Sequence, residues 1–136
     1  MSTQQKTIPL RMRLTAIILG MVFLLWLPIE DTSEYTAIVF AFAICGWLAA
    51  AFLMLRMKTH PAKLYYFILF GSIAGAFITP LTLFLMAFKT GLHGHQSPDY
   101  TAQQMLSVVR KTPIWILGGF LISLGSGILF LKRLSE

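Results

Sequence analysis

The side chains best equipped for chemistry sit in one short stretch of this chain. His93-Gly94-His95 sets two imidazoles two residues apart, and Asp99 follows four residues later. Imidazole with carboxylate is a donor set for Zn²⁺ and related divalent ions, which need three or four convergent ligands. His93, His95 and Asp99 are therefore the candidate metal ligands. Glu30, Asp31 and Glu34 are acids that the topology derived below brings to the same face. Plainer readings stand beside this one. Asp31 and Glu34 match the D-x-x-E form of a helix cap, where negative charge also complements the helix dipole, and His-Gly-His suits a polar connector. A proton- or quinone-facing role is a further use of the same imidazoles. No HExxH, nucleophile elbow, phosphate-binding loop or pair of catalytic carboxylates occurs, so no catalytic residue and no cofactor is assigned.

A second group lies in an apolar run. Ser72, Gly75, Thr79, Thr82 and Met86 recur at helical spacing and share one face. Pro80 deprives the carbonyl of Ala76 of its usual donor. Ser72, Thr79, Pro80 and Thr82 could thus line a polar path through a membrane. The alternative is that the threonine hydroxyls bond their own backbone or a neighbouring helix.

These groups need elements to hold them, and composition says which kind. Of 136 residues 57% are hydrophobic and 12% charged, with a mean hydropathy of +0.74, against roughly 25% charged residues in a soluble domain. The chain reads as an integral membrane protein with the lipid bilayer as its first partner. Its net charge of +6 comes from basic residues at the ends of apolar runs, where they face headgroups, so nucleic acid is excluded as a partner. The single cysteine, Cys45, allows no intramolecular disulfide and no CxxC motif.

Charge-free runs predict four transmembrane helices at approximately 10–29, 35–55, 64–88 and 112–131, in one domain covering 1–136. The first is short, with Lys6, Arg11 and Arg13 placed to snorkel. It ends in Leu27-Pro28-Ile29-Glu30 rather than in small residues, which reads as an uncleaved span and not a signal peptide. Eight Lys and Arg residues fall on one side of the bundle, and three, Lys89, Arg110 and Lys111, fall in the loop 89–111 on the other. By the positive-inside rule both termini are cytoplasmic in a plasma or inner membrane. Within that loop, Thr101 and Gln104 match a capping box before Met105, Leu106, Val108 and Val109, and Pro113 follows. That pattern predicts a short interfacial helix, or an extension of the fourth span.

Small residues predict where the spans touch, because in lipid they let backbones approach. Ala41, Cys45, Gly46 and Ala49 do so on the second span, Gly71 and Gly75 on the third, and Gly119, Ser123, Gly125 and Gly127 on the fourth. Counted by depth, these ridges lie level. Small multidrug transporters share the size and the span number, but that family depends on a carboxylate in its first span and Leu14–Ile29 contains none. The expected function is a non-catalytic accessory or assembly subunit of a larger membrane complex or homo-oligomer. A small channel or carrier using the third span, and a metal-binding or redox-linked enzyme subunit using the outer loop, are the alternatives.

Overall fold

The computed structural model describes residues 9–57, 63–93 and 99–135, the side chains of His93, Leu134 and Ser135 excepted. Among the described residues it is all-helical, with α1 (Leu10–Trp26), α2 (Glu34–Met57), α3 (Leu64–His93), α4 (Ala102–Arg110) and α5 (Thr112–Ser135). Three of these, α2, α3 and α5, are long and apolar enough to cross a membrane. A helix is the natural state of such runs, since in hydrocarbon every backbone group must find its partner within the chain.

The first run departs from expectation. Its helix stops at Trp26, and the amides of Leu27 and Ile29 turn back to Phe23 O and Trp26 O at 3.2 and 3.1 Å. At 17 residues, α1 reaches about 26 Å, less than the roughly 30 Å of a hydrocarbon core. Its backbone approaches α2 alone. Aromatic rings make that contact at one end, where Phe40 lies 5.5 Å from Phe23 and 4.9 Å from Trp26 between ring centroids. At the other end, Trp47 Nε1 donates to Met12 O and to Thr15 Oγ1, each at 3.2 Å. Trp47 is ten residues before the end of α2 at Met57, so α1 starts on the order of 10 Å short of the level at which α2 finishes.

The third run is longer than its charge-free part. Instead of ending at Phe88, α3 continues to His93 and carries Lys89 within the helix. Its most extensive packing is against α5, along a seam on which glycine is required. A Cβ on Gly71 would overlap Ser123 and Gly119 O, one on Gly75 would overlap Trp115 O, and one on Gly119 would overlap Gly71 O. Gly127 faces Leu64 and Phe67 at 2.8 and 3.0 Å by the same construction. Two residues level with the seam take no part in it. Gly46 and Gly125 would meet nothing within 4 Å: Gly125 points away from the seam, and Gly46 stands across an open space from it.

On its other flank α3 packs against α2, and α2 and α5 do not meet. Between them lies an apolar cavity of about 300 Å³ lined by Cys45, Gly46, Ala49, Gly71, Gly75 and Gly119 among others. The fourth helix, α4, is a separate element. Its capping box forms as the sequence predicts, Gln104 N donating to Thr101 Oγ1 at 3.2 Å and Thr101 N to Gln104 Oε1 at 2.8 Å. It closes at Lys111 before α5 begins.

Gly75→Leu should lower the melting temperature in detergent by the equivalent of about 1 to 3 kcal/mol, since overpacking forces the α3 and α5 backbones apart. Gly125→Leu should melt like the wild type. Equal behaviour of the two variants would contradict the seam.

Candidate functional site

All the described acids lie at one end of the helices, where the α1–α2 connection, the end of α3 and the start of α4 converge. The centre of this acidic end is Lys89, which is fully buried. Its position follows from helical spacing: Thr82, Leu85, Met86 and Lys89 form one buried stripe on α3. Lys89 Nζ donates to Asp31 O at 2.8 Å and stands 4.3 Å from the centroid of the Trp26 ring. Tyr100, also buried, donates through its hydroxyl to the same carbonyl at 3.3 Å. One backbone oxygen thus ties the α1–α2 turn to α3 and to the segment before α4.

The carboxylate of Asp31 organises the turn itself. Oδ1 accepts from Ser33 N at 2.9 Å and Oδ2 from Trp26 Nε1 at 3.3 Å. The Thr36 side chain beside it is the main cause that holds its carboxyl below the ordinary value of 3.8, against the opposing effect of burial. Burial pushes the Tyr100 phenol up to about 12, with Asp31 and Asp99 adding negative field. The phenol is therefore a fixed donor at physiological pH.

A second layer lies beside the first. Lys111 Nζ donates to Glu34 Oε1 at 2.8 Å, and Ser107 Oγ contacts both Glu34 oxygens at 2.9 Å. Gln104 Nε2 donates to Thr32 O at 3.0 Å. Lys111 also lies 5.2 Å from the Tyr35 ring centroid. Asp31 and Glu34 match a cap in sequence, but α2 begins at Glu34 itself, so the pair takes other roles: one holds the turn and the other fastens Ser107 of α4 and Lys111 to the start of α2. Chemically, the arrangement uses its charges to clamp loops, and the Lys89 amine is shielded from solvent.

The other candidates fall as follows. His93 is the last residue of α3, but its side chain and all of His95 lie outside the described residues. Asp99 is half-buried next to Tyr100, and among the described residues no group of three His, Cys, Asp or Glu side chains could hold a metal ion. Thr79 Oγ1 lies 2.8 Å from Thr112 Oγ1 on α5, and Thr82 Oγ1 donates to Ile78 O at 2.7 Å. Both hydroxyls are thus engaged within the protein. Pro80 is exposed and Ser72 half-buried. Ala41 and Cys45 are buried in α2, while Gly46 and Ala49 line the cavity. Ser123 Oγ donates to its own helix, at Gly119 O and Phe120 O, 2.6 and 3.0 Å away.

Lys89 escapes a sequence reading that ends a span at its first charge, and its neighbours Trp26 and Tyr100 lie in other segments of the chain. The signal that could have found Lys89 is the apolar stripe, which runs on to position 89 without a break in phase. Comparison with family models, with curated proteins and with solved structures returned no match.

Two measurements check the clamp. Lys89→Ala should destabilise by about 2 to 4 kcal/mol in a detergent melt, because it leaves a cavity and removes a buried donor. Asp31 contributes stability that is present above the ordinary aspartate value of 3.8 and lost as pH falls through its lower folded value. Acid melting should therefore flatten in Asp31→Asn, and an unchanged acid limb would show that other carboxylates govern it.

Proposed function

We propose that this chain is a small polytopic membrane protein that acts without catalysis, as an accessory or assembly subunit of a larger membrane complex or a homo-oligomer. The observation that carries the reading is the open cavity between α2 and α5. Two membrane-length helices pack on α3 without meeting, and small residues line the space they leave. Such residues admit close approach of a further transmembrane helix, the usual mode of association where no hydrophobic force acts between helices. Both threonine hydroxyls of the suggested polar path are engaged in internal hydrogen bonds, which favours packing over transport.

In this reading α1 is a fourth, short crossing whose Arg11 and Arg13 snorkel to the cytoplasmic headgroups. Both termini lie in the cytoplasm of a plasma or inner membrane, and the acidic end faces outward.

A photo-crosslinking residue in place of Gly46, where added bulk meets nothing within 4 Å, should yield one protein adduct of discrete mass in native membranes. The same residue in place of Leu129, which is 71% exposed on α5, should yield lipid adducts. If Gly46 also yields lipid adducts alone, the assembly reading fails. Orientation is tested separately with single cysteines in a Cys45→Ala background. Thr32→Cys should react with an impermeant thiol reagent on intact cells and Ser135→Cys only after permeabilisation; the reverse pattern overturns the topology.

A further inference from the structure

We infer that α4 is a membrane-surface helix that seats an anionic phospholipid, with Leu106 and Val109 in the acyl region and Arg110 on the headgroup phosphate. The inference rests on reading α5 as a membrane span and adds a ligand to the assembly function. It starts from the helix's division of labour. Met105 and Val108 turn toward the core, Val108 being fully buried. Ser107 and Gln104 are spent on Glu34 and Thr32. Leu106 and Val109 remain on the opposite edge, 48% and 45% exposed. They are not isolated apolar residues on a wet surface. Past the break at Lys111, the exposed column continues through Pro113, Leu117 and Leu121 of α5 in steps of four.

Since α5 is long and apolar enough to cross a membrane, its exposed column is the surface that meets lipid. The α4 edge is the upper continuation of that surface, so Leu106 and Val109 lie at the level where acyl chains give way to headgroups. The neighbouring positions have the chemistry for that level. Gln103, Leu106, Ser107, Arg110 and Lys111 line a concavity of about 450 Å³, with one apolar wall and a rim of amide and cations. Lys111 is paired with Glu34, whereas Arg110 is exposed, and its planar fork matches two oxygens of a phosphate diester. Charge selects the lipid. A zwitterionic headgroup brings its own cation beside the Arg110 guanidinium, and phosphatidylglycerol brings none.

The test uses the full chain with Cys45→Ala, reconstituted in phosphatidylcholine vesicles with and without phosphatidylglycerol. Nitroxide labels on Leu106→Cys and Val109→Cys should be relaxed more by oxygen than by a water-soluble nickel chelate. A label on Gln103→Cys should show the reverse order. Nickel preference at all three positions would place α4 in water and overturn the inference, while the Thr32 labelling pattern reports independently on whether the chain spans the membrane. For the headgroup, native mass spectrometry from mixed micelles should show phosphatidylglycerol retained in preference to phosphatidylcholine by the wild type, and parity in Arg110→Gln. Equal retention by both proteins, or displacement of the lipid by inorganic phosphate, would show that Arg110 does not read a lipid headgroup.

Discussion

The close approach of α3 and α5 is the constraint on which the rest of the structure depends. Lipid tails are as apolar as leucine, so helices in a bilayer gain little from apolar burial and must gain from contact geometry. Here a carbonyl of one helix occupies the place that a Cβ would take on the other, at Gly75 against Trp115 and at Gly119 against Gly71. Such a contact fixes rotation as well as distance. With α5 turned this way, Thr112 meets Thr79 one turn above Gly75. Lys111 then projects toward Glu34, and α4, one residue upstream, has no freedom to face elsewhere.

The second constraint is electrostatic and sits at the end of the same helices. A lysine amine buried beside hydrocarbon is tolerated only with partners, and Lys89 finds a carbonyl and the face of an indole. The carbonyl belongs to the α1–α2 turn and the indole to the last residue of α1, so the charge that would destabilise α3 alone becomes the tie that positions α1. The opposite end is secured differently. Arg56 donates to Tyr66 Oη at 3.2 Å and lies 5.1 Å from that ring's centroid, joining α2 to α3 with a cation at the α2 C-terminus, where the helix dipole favours it.

Much of this was legible from residue types. Alternation between long apolar runs and charges gives α2, α3 and α5, and the steps of four through Gly71, Gly75, Gly119 and Ser123 foretell the seam. What depth alone could not give is azimuth. Gly125 lies level with Gly71 but two residues from Ser123 and from Gly127, which is about 200° around a helix, so it faces away from the contact. Sequence places Lys89 in a loop because a charge ends an apolar run in any count of hydropathy. The partners that let the helix continue lie 58 residues upstream, at Asp31, and no local rule contains them. Thr101 and Gln104 were legible for the converse reason, since a capping box is completed within one turn.

The place of α1 follows from these two constraints together. It takes no part in the glycine seam, and its backbone approaches α2 alone. Leu10, Ile17, Ile18, Leu24 and Leu25 are each more than half exposed. What retains it is set at its two ends: the Trp47 indole near Met12, and the Phe23, Trp26 and Phe40 rings beneath Lys89. A helix held mainly at its ends, with Leu19 against the core between them, has the lowest density of protein contact in the fold, and local opening is easiest where contact is sparse. The surface it leaves open is apolar and short of a full hydrocarbon thickness. On the proposed reading of α1 as a fourth, short crossing, a bilayer thins around it or a neighbouring protein covers it, and either response carries a free-energy term that association relieves. On that reading, the helix that is weakest as part of this fold is the one whose burial in the proposed assembly gains most.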